Sequence, residues 1–250
     1  MNNSQLRGAM VVILLLGLIL SLSSHAFGYD PETRIYTLKS RDDLERSFPD
    51  KWIEIARLNR IDRAHLFKGL KIKIPAKLDG YAYDPLPEIW TEAALLPKFV
   101  LIDLRLQFLG AYEYGKLKYS FPISSGKENY NTPPGRYYIF RHNKDRYSSK
   151  YFISNTTQPY PMTWSLQLSK DKKNDTAYFI HGRDLDGKPA SHGCIGLYDE
   201  EMQKKYYGYP QNPTLLDAQK LYLWIVASKK KTEGKINGPM VPVRIIGKAP

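Results

Sequence analysis

Leu117, Tyr119, Phe121 and Ile123 alternate strictly with Lys118, Ser120 and Pro122. A period of two gives a strand one apolar face and one wet face, and a helix does not produce it. This run belongs to a series. Residues 99–103 and 106–112 read as strands, and Tyr114-Gly115 suits the tight turn before the alternating run. Thr132-Pro133-Pro134-Gly135 reads as a turn and residues 136–141 as a further strand. Residues 178–180 lead as a strand into His181. Residues 241–246 form a last strand, which Pro242, lacking an N–H, is expected to place at a sheet edge. Helices fit only residues 199–207 and 215–228. Many short strands and few helices predict a mainly β fold, a β-sandwich or barrel-like domain over 99–250.

The chain ahead of that domain divides into three parts. Residues 33–76 read as strand, helix, helix, strand. Strands are expected near 35–38 and at 71–75. The helical stretch 42–57, carrying Leu44, Phe48, Trp52, Ile55 and Ala56, is interrupted by Pro49. Residues 77–98, with Pro85, Pro87 and Pro97, read as a linker laid against the next domain. In residues 1–26, Arg7 precedes an apolar run at 9–20, and Ser24-His25-Ala26 gives a small-x-small exit. Together these parts read as a secretory signal. The run falls short of the roughly 20 residues of a spanning helix. A membrane role is therefore expected only if the signal stays uncleaved.

An exported chain restricts what its chemistry can be. The formal charge is +12, from 37 Lys and Arg against 25 Asp and Glu, and it suits an acidic cell envelope. Nucleic acid is the usual partner of a basic chain, but export and scattered basic residues argue against it. One cysteine excludes an internal disulfide framework and any cluster held by several thiolates. In an oxidising compartment a lone thiol is buried, paired between chains, or used.

The residues around Cys194 favour use. His192 stands two positions before it and His181 thirteen before it, with Gly187 and Pro189 in the connecting loop. A thiol is a weak nucleophile until it ionises, and an imidazole brought beside it takes its proton. The N–H groups of His192, Gly193 and Cys194 are placed to converge on one point, as an oxyanion hole requires. Taken singly, Cys194 also reads as an inert buried thiol, His181 as a strand cap and His192 as a surface imidazole. Two histidines and a cysteine as zinc ligands lack a clear fourth ligand and a nearby Glu base. No metal and no cofactor are expected.

The ordered pieces Ile180-His181-Gly182 and Ser191-His192-Gly193-Cys194-Ile195 resemble the active-site signature of the L,D-transpeptidases, the YkuD-type catalytic family. The Ser124-Ser125-Gly126-Lys127 stretch and the Thr132-Pro133-Pro134-Gly135 turn agree with it. The likeness runs over about residues 99–200, with residues 241–246 as its final strand. Residues 33–76 resemble a LysM module through Tyr36-Thr37-Leu38, Leu58-Asn59-Arg60-Ile61 and residues 69–75, although Ser40-Arg41-Asp42 replaces the Gly-Asp that usually follows the first strand.

These resemblances imply a β-sandwich L,D-transpeptidase-like catalytic domain behind a small βααβ LysM-like module, exported to the periplasm or cell wall. They imply Cys194 as nucleophile and His181 as base, with the Gly182 carbonyl orienting its ring. Ser191, His192 and Gly193 would support the oxyanion. Tyr160, Met162, Trp164 and Arg183 would contact substrate. The partners implied are peptidoglycan stem peptides, with a second stem or a wall-attached protein as acceptor. An L,D-carboxypeptidase of the same fold and a non-catalytic wall-binding protein are the alternatives. Many members of the family carry Arg or Asn two residues past the cysteine, where this chain has Gly196.

Overall fold

The computed structural model describes residues 32–78, 83–169, 175–226, 232–236 and 239–250. The expected signal at 1–26 and the end of the expected helix at 227–228 lie outside them.

In the N-terminal unit, β1 (Thr33–Thr37) pairs antiparallel with β2 (Lys71–Pro75), Thr33 opposite Pro75. Two helices lie between them, α1 (Asp43–Ser47) and α2 (Trp52–Asn59), so the chain breaks at Pro49 as its sequence requires. Arg60 ends α2 in the left-handed region at φ 53°, and its N–H returns to the carbonyls of Ala56 and Arg57. β2 alternates Ile72 and Ile74 inward with Lys71 and Lys73 outward. The two isoleucines join Leu38, Leu44, Ile55, Ala56 and Leu66 in one small core.

The larger unit is built on one sheet. Its strands are β3 (Phe99–Asp103), β4 (Phe108–Glu113), β5 (Lys116–Pro122), β6 (Gly135–Phe152), β7 (Pro159–Ser169), β8 (Asp175–Arg183), β9 (Ile195–Tyr198), β10 (Glu233–Lys235) and β11 (Val241–Ile246). Among the described residues the order is β5-β4-β3-β11-β6-β7-β8-β9, with β10 added on β6. Beyond β5 the chain turns back to the far end of that order: Ser124 bridges Gly196 and Gly126 bridges Ser191. The sheet thus curls until its two ends meet, giving the sandwich-like, mainly β form its sequence pattern predicts. Two helices follow, α3 (Glu200–Tyr207) and α4 (Asp217–Val226). Ala218, Leu221, Tyr222 and Ile225 of α4 fill the curl against Trp164, Leu166, Ile180, Ile195 and Leu197. Among the described residues no helix is long and apolar enough to cross a membrane.

Two expectations are corrected. β11 is a central strand, parallel to β3 and antiparallel to β6. Pro242 is tolerated because the β3 ladder starts only at Val243, so no rung on that side needs its missing N–H. The strand expected over 136–141 runs on to Phe152, because β7 pairs with its polar second half as far as Phe152.

Candidate active site

β8 and β9 are parallel neighbours, with Ile180 opposite Ile195 and His181 opposite Gly196. Such strands lie about 4.8 Å apart. Ile180 and Ile195 are buried in the core, so side-chain alternation sends Phe179 and His181 to the other face. Cys194, immediately before Ile195, continues onto that same face. The loop between the strands therefore returns the thiol to the side of the sheet that carries the imidazole.

His181 is buried, and its Nδ1 lies 2.7 Å from the carbonyl of Gly182. A carbonyl only accepts, so Nδ1 carries the proton and Nε2 of the neutral ring keeps a lone pair. Position 182 has no room for a side chain: a Cβ there would collide with Thr163 Oγ1 and the Asp199 side chain. Burial drives the His181 pKa down to about 4, aided by Arg183 and Arg146 and opposed by the bond to Gly182 and by Asp184. The half-buried Cys194 thiol is pushed up by burial. A main-chain hydrogen bond from Phe179 and the charges of Arg183 and Arg146 pull against that shift without overcoming it. At neutral pH the pair is thus thiol and imidazole, not thiolate and imidazolium.

The turn holding Cys194 is stapled on both sides. Ser191 Oγ donates to the Cys194 carbonyl at 2.6 Å and accepts the Gly193 N–H at 3.0 Å. Of the three N–H groups expected to face an oxyanion, that of Gly193 is therefore engaged with Ser191 Oγ. Gly193 sits at φ +107°, and a Cβ would lie 2.7 Å from Tyr178 Cε1, so glycine is required on two counts. Thr132 Oγ1 donates to the Gly193 carbonyl and accepts the Gly126 N–H, both at 2.9 Å. The Ser125 carbonyl accepts the N–H groups of Ala190 and Ser191. The Ser-Ser-Gly-Lys and Thr-Pro-Pro-Gly segments, remote in sequence, are the bed on which the cysteine turn rests. His192 is exposed and stacks on Tyr151 at 4.2 Å, with Tyr130 edge-on at 4.5 Å.

The side chains expected to contact substrate divide. Arg183 lies along the cysteine turn, donating to the Ala190 carbonyl at 3.2 Å, and its stem covers Gly196. Tyr160 donates to Asp184 at 2.5 Å. Met162 is buried opposite Arg146 in the β6–β7 pairing. Trp164 is buried in the core with its ring 5.4 Å from Tyr222. Its φ of 54° breaks the alternation of β7 and turns the indole inward.

Sequence reasoning missed Arg146 and Phe179. The Arg146 guanidinium lies 4.4 Å over the Phe179 ring, and both line a cavity of about 410 Å³ with Arg141, Ser165, Lys235 and Glu233. Phe179, which lines the cavity, shares its face of β8 with His181. One arginine among many basic residues carries no sequence signal for such a role.

Residues 97–214 match the profile of the YkuD family, described as the L,D-transpeptidase catalytic domain. That is just under half of the chain, and it contains both His181 and Cys194. Among solved structures, an L,D-transpeptidase (Yku) from Stackebrandtia nassauensis is similar at 20% identity and TM-score 0.43, over 63% of this chain and 58% of that one. L,D-transpeptidase 1 of Mycobacterium tuberculosis is similar at 12% identity and TM-score 0.38, over 72% and 68%. An L,D-transpeptidase from Mycobacterium smegmatis gives 14% identity and TM-score 0.38, over 60% and 59%. The chain thus spans less than two thirds of the first of these structures. A comparison with curated proteins gives no match.

Proposed function

We propose, with residues 97–214 as a YkuD-type L,D-transpeptidase catalytic domain for premise, that this chain is a peptidoglycan L,D-transpeptidase working through a cysteine acyl-enzyme. The observation that carries the reading is the pairing of His181 and Cys194. His181 stands on β8 and Cys194 directly before β9, the parallel neighbour of that strand, with the imidazole Nε2 left as a proton acceptor.

In the proposed reaction the Cys194 sulfur attacks the carbonyl that links the L-centre of diaminopimelate to the terminal D-alanine of a stem tetrapeptide. Nε2 of His181 takes the thiol proton as the C–S bond forms, which the neutral pair requires. The oxyanion is held by the N–H groups of His192 and Cys194. Collapse breaks the C–N bond, His181 returns the proton to the leaving amine, and D-alanine departs. An amine then attacks the thioester, its proton passes through His181 to sulfur, and the C–S bond breaks. The acceptor is a second stem or a wall-attached protein; with water as acceptor the reaction is that of an L,D-carboxypeptidase. The cationic cavity beside Phe179 suits the carboxylates of a stem peptide. The partition into signal (1–26), LysM-like module (33–76), linker (77–98) and catalytic domain (99–250), with export to periplasm or wall, belongs to the same proposal.

The test is incubation of the mature protein with disaccharide-tetrapeptide, with and without an amine acceptor, read by product mass. Release of D-alanine with a joined product is expected, and Cys194→Ala abolishes both. Release without joining assigns hydrolysis, and unchanged chemistry in Cys194→Ala overturns the role of the thiol.

A further inference from the structure

The loop that joins base to nucleophile is held at its middle by the N-terminal unit. Asp62, two residues beyond the Arg60 cap of α2, is fully buried. Its carboxylate accepts the Leu185 N–H at 2.5 Å, Gln203 Nε2 at 2.7 Å, His65 Nδ1 at 2.8 Å and the His65 N–H at 3.2 Å. Its own N–H donates to the Leu185 carbonyl at 2.9 Å. Both main-chain groups of Leu185 are thus taken by one residue, and an Ile61–Asp186 bridge extends the contact along the chain. The Leu185 side chain is buried with Tyr198 and Leu215, against Trp52 and Ile53 of α2. Tyr198, at the end of β9, donates to the carbonyls of Ala56 and Ile61 at 3.0 and 3.1 Å.

Leu185 stands four residues past His181 and nine before Cys194. A loop of that length, carrying Gly187 at φ +90°, has many conformations unless an interior point is fixed. Asp62 is that fixed point. Its charge is matched by four donors, so it is an anchor for the loop and leaves no free group to react. A second strand of the contact runs toward the site. His65 Nε2 lies 3.7 Å from Asp184 Oδ2, and Asp184 Oδ1 accepts the Tyr160 hydroxyl.

We propose that Asp62 is a positioning residue for the His181–Cys194 pair, and that the N-terminal unit completes the active site and is more than a tether to the wall. The inference rests on the transpeptidase reading for its consequence in turnover, but its test does not need that reading to hold.

The experiment is the rate of Cys194 alkylation by iodoacetamide in the full mature chain, for wild type, Asp62→Asn, His181→Gln and the double variant. The asparagine keeps the volume but turns an amide donor toward groups that are themselves donors. Asp62→Asn is expected to slow alkylation about tenfold or more at temperatures where circular dichroism shows it folded, since small misplacements of a reacting pair have effects of that size. The double variant is expected to react no more slowly than His181→Gln alone, because the aspartate acts only through the imidazole. An Asp62→Asn rate equal to wild type, or effects of the two substitutions that multiply, overturns the proposal.

Should the variant not fold, amide exchange in the wild type decides. Leu185 N–H is expected to exchange as slowly as the core amides of β8, and rapid exchange there overturns the anchor. If wild type alkylates as expected but releases no D-alanine from tetrapeptide, the transpeptidase reading fails while the anchor stands.

Discussion

A methyl group added at Gly196 would be driven into Arg183. The added Cβ would lie 2.6 Å from Cδ, 2.8 Å from Cβ and 3.1 Å from Cγ of that arginine. Carbon atoms in contact normally sit about 3.5–4.0 Å apart, so the overlap approaches 1 Å at the worst atom. Neither side has room to withdraw. The main chain of Gly196 is bonded in both directions to Ser124, and Arg183 is a rung of β8 opposite Tyr198. Overpacking of this kind costs about 1–3 kcal/mol. For a chain of this size that is roughly 2–4 °C of Tm per kcal/mol. Gly196→Ala is expected to show this loss in thermal and urea unfolding. Arg183→Ala removes the Cδ and Cγ overlaps and keeps the Cβ one, so it should recover part of the loss. Arg183→Gly removes all three and should recover nearly all of it. A Gly196→Ala variant as stable as wild type would refute the steric argument. So would a penalty of the same size in the wild-type, Arg183→Ala and Arg183→Gly backgrounds. The stem of Arg183 covers Gly196, and its guanidinium reaches the Ala190 carbonyl.

Three further outcomes follow from charge. Cys194 is raised by burial and His181 is held near pH 4, so alkylation of the thiol should climb through and beyond pH 9; a plateau between pH 5 and 7 would reveal a resting ion pair and contradict the assignment. The folded pKa of His181 lies below its ordinary value of 6.5, so the folded state binds fewer protons between about 4 and 6.5. Its contribution, about 3 kcal/mol, is therefore present above pH 6.5 and lost as the pH falls toward 4; urea midpoints of His181→Gln should lack that part of the acid slope, and an unchanged slope would count against a buried neutral ring. Arg63 holds the fully buried Glu200 through two nitrogens at 2.6 and 2.8 Å. Arg63→Ala should cost about 3–5 kcal/mol in urea unfolding, and Arg63→Met with Glu200→Leu should restore much of it; a loss below about 1 kcal/mol would refute a desolvated pair.

How much was legible in the sequence depended on how local its cause was. The alternation from Leu117 to Ile123 reports a half-buried strand directly, and β5 is that strand. Pro49 is likewise local, and it lies in the break between α1 and α2; the Ser-His-Gly-Cys segment forms a turn closed by its own serine. The second half of β6, Asn143 to Phe152, has no apolar alternation because much of it faces solvent, and only its pairing with β7 makes it a strand. The core position of Trp164 was hidden for a related reason: one left-handed residue changes the face of the strand, and no pattern announces it. The placement of Pro242 depends on where the β3 ladder begins, which is a property of the pairing and not of residues 241–246. The grip of Asp62 on Leu185 joins residues 123 positions apart, and a buried aspartate near a helix end reads in sequence as an ordinary cap.

The central claim is that Cys194 carries the acyl group with His181 as its proton acceptor. It is tested most directly by quenching the mature protein in acid within its first turnovers on disaccharide-tetrapeptide and mapping the adduct by peptide mass. The account predicts a thioester at Cys194 that adds the mass of the substrate less one D-alanine, absent from Cys194→Ala and strongly reduced in His181→Gln. D-alanine released with no adduct at Cys194, or an adduct that forms equally fast without the imidazole, would contradict it.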